Sequence, residues 1–247
     1  MIDTHAHLDG CDEPVGDLLA RARAAGVTRV ITIGTGIESS RAALALAAEH
    51  DGVRAVLGID PHQAGDEEAG RIDELRELLG HPKVVAVGET GLDNHHRHAT
   101  PEQQLRLFDA HIELAAELTL PLVIHSRDAD EQTAAALARF DGRVILHCFS
   151  SAGLLPAALE RGYYVSFAGN ATYPKATELR EAATRISAER ILAETDSPYL
   201  APQPLRGRPN EPAHVTHTVA VLAAARGEDA DELAAQIDAN ASAVFRL

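Results

Sequence analysis

The chain has 247 residues, 45% of them hydrophobic, and a formal net charge of -15 at pH 7. That length suits one sizeable core in one domain, and no stretch reaches the roughly 18 uninterrupted apolar residues of a membrane span. The acidic balance, with lysine only at Lys83 and Lys175, excludes the basic stripe on which tight nonspecific duplex binding rests, although bound cations and a local arginine cluster can reverse the sign of a cleft.

In chain order, Ile2-Asp3-Thr4-His5-Ala6-His7-Leu8-Asp9 opens as a strand that presents two imidazoles. Residues at i and i+2 of an extended segment share a face, as two ligands of one divalent metal must. A helix over Leu18 to Ala25 leads to the β-branched run Val27 to Ile33, stopped by Gly34 and Gly36. The alternation then continues: helix Ser39 to His50, strand Val53 to Gly58, helix Glu67 to Leu79, strand Val84 to Val87, and a long amphipathic helix Glu102 to Leu118 with Pro101 at its start. Strands follow at Leu122 to Ile124, Val144 to Leu146, Tyr163 to Phe167 and Ile191 to Ala193, separated by helices near Ala129 to Ala138, Leu154 to Glu160 and Thr177 to Ile186. Helices over Ala213 to Ala225 and Asp229 to Val244 finish the chain.

About eight short apolar strands separated by helices predict a (β/α)8 TIM barrel with extra C-terminal helices, residues 1–247 forming a single domain. The competing doubly wound sheet usually carries a Gly-rich phosphate turn after its first strand, where this chain has His5 and His7. Cys11 and Cys148 are too few for a disulfide framework and suit a reducing cytoplasm. Met1 running into the first strand leaves no room for a secretory signal. Cys148 reads as a small packed thiol rather than a nucleophile.

Reacting groups of a barrel come from the carboxyl ends of its strands. There the chain offers His5 and His7, Glu89 after Gly88, His125, His147, and Glu194-Thr195-Asp196. Four histidines and two carboxylates exceed one tetrahedral site, and a carboxylate midway round the ring bridges two ions, which makes Glu89 the expected bridge. Lys83 and Lys175 lie away from strand carboxyl ends, so a bridging lysine is not expected.

With these residues in place, the chain resembles the TatD family of metal-dependent deoxyribonucleases, within the amidohydrolase superfamily. The resemblance rests on an ordered set: Ile2 to Leu8, Gly88-Glu89-Thr90-Gly91-Leu92-Asp93, Leu120 to Ala129, His147-Cys148-Phe149-Ser150, Glu194 to Leu200 and Arg206 to Pro212. It implies two divalent ions (Mg, Mn, Zn, Co or Ni), one held by His5, His7, Glu89 and Asp196, the other by Glu89, His125 and His147. The implied reaction is hydrolysis of a DNA phosphodiester at a strand end, with Glu89 and Asp196 as catalytic carboxylates and Asp196 orienting or deprotonating the nucleophile. His62, Arg127, Arg206 and Arg208 are expected substrate contacts, since guanidinium forks match phosphate oxygens. No membrane association and no obligate protein partner is expected.

Two stretches depart from the family's pattern. Asn94-His95-His96-Arg97-His98 stands where aromatic residues are common, and reads as a polar loop with solvated histidines in preference to a third metal site. Gly58-Ile59-Asp60-Pro61-His62 has Asp60 where the family usually has histidine. Two other functions stay open: an ester or amide hydrolase acting on a lactone, a small amide or a D-aminoacyl-tRNA, and a noncatalytic barrel that binds without turnover.

Overall fold

The computed structural model describes residues 1–247. Its eight apolar runs form eight parallel strands in one sheet, each hydrogen-bonded to the next in chain order: β1 (Ile2–Ala6), β2 (Arg29–Gly34), β3 (Val53–Leu57), β4 (Val84–Asp93), β5 (Leu122–Arg127), β6 (Val144–Leu146), β7 (Tyr164–Phe167) and β8 (Ile191–Ala193). Seven helices alternate with them: α1 (Val15–Ala24), α2 (Ile37–Glu49), α3 (Ile72–Leu79), α4 (Pro101–Leu118), α5 (Asp130–Leu137), α6 (Leu155–Arg161) and α7 (Thr177–Arg185). Two more, α8 (Val215–Arg226) and α9 (Ala230–Phe245), extend the C-terminus.

The sheet curls until its ends meet. Thr4 Oγ1 donates to the carbonyl of Ala193, Asp196 N to that of His5, and His7 N to that of Ser197, at 3.0, 2.9 and 2.7 Å. The buried Asp3 carboxylate accepts from Thr195 N at 2.8 Å and from Thr195 Oγ1 at 2.5 Å. This is a TIM barrel with extra C-terminal helices, and the doubly wound sheet is ruled out.

Two apolar clusters follow from strand alternation. One fills the barrel interior with Ile2, Ile31, Ile33, Val56, Val123, Ile145 and Leu192, and α9 closes it with Val244 and Phe245. The other, of 52 residues, lies between strands and helices. Two positions beyond interior-facing Val123, Ile145 and Leu192 stand His125, His147 and Glu194, so the same alternation that fills the lumen aims these side chains into its mouth.

Several expected boundaries differ. β4 runs on to Asp93 and β5 to Arg127, so Glu89 and His125 lie within strands rather than after them. The expected Glu67 to Leu79 helix is a 3-10 turn, Glu67–Gly70, followed by α3. Gly70 disfavours helix continuation, and the Arg71 guanidinium is instead clasped between Glu68 and Glu74 at the junction.

Candidate metal centre

The site is set by an irregularity in β4. Between Val87 and Thr90 its register on β5 slips, with Val87 opposite Leu122 but Thr90 opposite Ile124, so one extra residue is accommodated and Glu89 is turned toward the barrel mouth. Only glycine fits on either side of it. Gly88 and Gly91 have φ of +139° and +137°, and a Cβ on either would lie 2.5 Å from the Val123 carbonyl oxygen or 2.0 Å from that of His125.

Glu89 divides its carboxylate between two groups of imidazoles. Oε2 faces His5 Nε2 at 3.3 Å and His7 Nε2 at 3.7 Å; Oε1 faces His125 Nδ1 and His147 Nε2, each at 2.9 Å. Asp196, from the turn after β8, completes the first group with Oδ1 3.3 Å from His7 and 3.9 Å from His5. All six residues expected from the sequence therefore meet at one rim of the barrel. His7, Glu89, His125, His147 and Asp196 line a cleft of about 580 Å³ together with His62 and Arg127, with His5 buried beneath it. Arg206 and Arg208 do not line it: the Arg206 guanidinium sits 4.3 Å over the Tyr173 ring, and Arg208 closes a turn with Leu205.

The donor set fits divalent ions. His5 is 1% exposed, and neither ring nitrogen makes a hydrogen bond despite the approach of Nε2 to Glu89. Burial and the neighbouring His147 push its pKa down, leaving a neutral imidazole with a bare lone pair among carboxylates. An unpartnered buried nitrogen is costly in a protein and is what a metal ligand looks like without its ion.

The electrostatics agree. Burial alone would raise the Glu89 carboxyl, but the charge of His147 and hydrogen bonds from His125 and His147 hold it well below the ordinary range. Burial likewise opposes ionisation of Asp196, and His7 overcomes it. His7, His125 and His147 are all raised despite their burial, by Asp196, by Asp93 and Glu89, and by Glu89 and Glu194 respectively.

Residues the sequence reading left without a role hold this set in place. Glu194, fully buried, accepts at Oε1 from His147 Nδ1 at 3.1 Å and from Cys148 N at 2.7 Å, fixing the tautomer that turns Nε2 to Glu89. Asp93 does the same for His125, whose Nε2 lies 3.2 Å from Oδ2. Asp93 is gripped by Gln104 of α4, whose Oε1 accepts from Asp93 N at 2.7 Å and whose Nε2 donates to Asp93 O at 2.9 Å. The period-two step from Leu192 was a usable signal for Glu194; Asp93 gave none beyond its place in Gly-Leu-Asp. Burial and nearby carboxylates raise the Cys148 thiol well above its usual value, so it stays protonated.

The Asn94 to His98 loop is polar and exposed from His95 to His98, as expected, and two of its rings also meet carboxylates. His96 Nδ1 lies 2.7 Å from Asp93 Oδ2, and His95 Nδ1 3.2 Å from Asp128. Asp60 accepts from Gln63 N at 3.2 Å and flanks His62, which with Asp93 on its other side is raised to about 9.

Fold and site together define a (β/α)8-barrel metal-dependent hydrolase. The family described as TatD related DNase matches residues 2–246. A Salmonella typhimurium relative named 3'-5' ssDNA/RNA exonuclease TatD is 39% identical, over 94% of this chain and 92% of its own length. A Mycobacterium tuberculosis relative named as a metal-dependent hydrolase TatD is 38% identical over 100% and 98%. The crystal structure of YJJV, a TATD homolog from Escherichia coli, superimposes with a TM-score of 0.93 at 33% identity, covering 100% of this chain and 98% of that one. The chain belongs to the TatD family.

Proposed function

We propose that the protein is a two-ion nuclease that hydrolyses phosphodiester bonds at the ends of single-stranded DNA. The observation that carries this reading is the division of the Glu89 carboxylate, one oxygen to His5 and His7 and the other to His125 and His147, with His5 left unpartnered. His5, His7, Glu89 and Asp196 would hold one ion, and Glu89, His125 and His147 the other. Bound there, divalent metal lowers the pKa of water and offsets phosphate charge. An imidazole-rich set suits Zn²⁺, Mn²⁺, Co²⁺ or Ni²⁺ better than Mg²⁺.

The chain's own groups do the rest. Asp196 stands in the cleft beside His7 and takes the proton of the attacking water. Arg127 and His62, which line that cleft, hold the substrate's phosphate oxygens, and Arg206 and Arg208 reach the strand beyond it. Residues 1–247 act as one domain, because the ligands come from both ends of the chain. Two unpaired thiols, Cys11 and Cys148, support a cytoplasmic setting.

The name of the Salmonella relative supports single-stranded nucleic acid as the substrate. Incubation with end-labelled single-stranded DNA and Mn²⁺ or Mg²⁺ tests this, alongside a lactone and a D-aminoacyl-tRNA. Stepwise shortening of the DNA is expected; hydrolysis of the other substrates with intact DNA would overturn it.

A further inference from the structure

We propose that this chain carries a third cation site, outside the Glu89 centre, built from Asp93, His62, His96 and His98. Three ring nitrogens converge on a single oxygen: Asp93 Oδ2 lies 2.9 Å from His62 Nε2, 2.7 Å from His96 Nδ1 and 3.2 Å from His125 Nε2. The other oxygen is already occupied, since Oδ1 accepts from the backbone N of both His95 and His96 at 2.8 Å. One carboxylate oxygen has two lone pairs, so three imidazoles crowd a position that a positive ion would satisfy.

The rings are also spaced for an ion. Two imidazoles on one tetrahedral zinc, with Zn–N near 2.0–2.1 Å, place their ring centres roughly 5 Å apart. His62 and His96 are 5.3 Å apart, His62 and His98 5.0 Å, and His96 and His98 6.0 Å. Asp93 is fully buried at the base of this trio and tied by Gln104, so its carboxylate is fixed, while the His96 and His98 side chains are exposed. His125 keeps donating to Asp93 from Nε2, which leaves its Nδ1 for the Glu89 centre.

The site takes a borderline transition ion such as Zn²⁺, as three nitrogens and one oxygen prefer. His62 and His96 line the catalytic cleft, while His98 and Asp93 line the adjoining one, so the ion sits in the wall between them. A chain of net charge -15 gains positive charge there for an incoming phosphate, and the contact assigned to His62 is made through the ion it helps hold. That role rests on the proposed nuclease reading; the binding does not.

The test is a zinc count. Metal-stripped protein and the double variant His96→Ala/His98→Ala are loaded with Zn²⁺, desalted and assayed for zinc per chain. About three equivalents are expected in the wild type and about two in the variant. Equal counts in the two proteins overturn the site: equal counts near two leave the Glu89 centre standing, and equal counts of zero remove both. A Co²⁺ difference spectrum between the two should carry the visible bands of a tetrahedral site, and a flat one also overturns the proposal.

Discussion

In the proposed two-ion centre, each Glu89 oxygen meets a different pair of imidazoles, and the buried carboxylates of Glu194 and Asp93 hold the far nitrogens of His147 and His125. Glu194→Gln replaces the acceptor of His147 Nδ1 with a neutral group of the same size. Metal affinity should fall about 10- to 100-fold, read by competition with a chromogenic chelator; unchanged affinity would show that the His147 tautomer is fixed elsewhere. Asp196→Asn removes the proton acceptor while retaining a coordinating oxygen, so kcat should fall by roughly two to four orders of magnitude with a smaller change in KM. A change confined to KM would move Asp196 from proton transfer to binding. The six candidate ligands were legible as sequence because His, Glu and Asp directly after apolar runs have few structural reasons to be there. Glu194 was given no role although its period-two step from Leu192 could have signalled one, and Asp93 was passed over because nothing in Gly-Leu-Asp distinguishes a carboxylate that supports a candidate ligand.

At the level of elements, two devices place the site. The first is the β4 irregularity, which Gly91 makes possible: Gly91→Ala forces a Cβ against the His125 carbonyl at φ +137° and should cost roughly 3 kcal/mol or more in urea unfolding. The second is α4, which carries Gln104 to Asp93 and His111 to the segment after β3, where His111 Nε2 accepts from Ile59 N at 3.0 Å. Burial holds His111 neutral and lowers its pKa to about 4. Between that value and the 6.5 of an unfolded histidine, the unfolded chain binds the extra proton, so stability rises with pH across the window and is lost as pH falls through it. The loss should be about 3 kcal/mol. Urea titrations in chelator at pH 7.5 and 4.5 should show His111→Gln losing less than the wild type; equal losses would contradict this. Strand and helix order was legible throughout, since apolar runs and turn residues are local signals. The extension of β4 to Asp93 was not, because Gly88 and Gly91 read as strand terminators when their φ and close contacts with β5 are unknown.

For the whole molecule, a strongly acidic chain that handles nucleic acid must confine its positive charge to the cleft. If Arg127, Arg206 and Arg208 each neutralise one phosphate, log affinity for single-stranded DNA should fall against log salt with a slope of roughly -2. A slope near zero would remove these arginines from the phosphate path. The barrel class was legible because eight buried parallel strands need near-continuous apolar runs, whereas the loop histidines answered to contacts with Asp93 that no local pattern announces. Closure of β1 onto the turn after β8 joins His5 and His7 to Asp196, so the fold and the chemistry depend on the same seam. The most direct measurement is therefore paired metal content and cleavage of 3'-labelled single-stranded DNA in the wild type and Glu89→Ala. The wild type should carry ions at the Glu89 centre and shorten the strand, while the variant, folded by circular dichroism, should lose that metal and nearly all cleavage. A Glu89→Ala protein that keeps both would contradict the account.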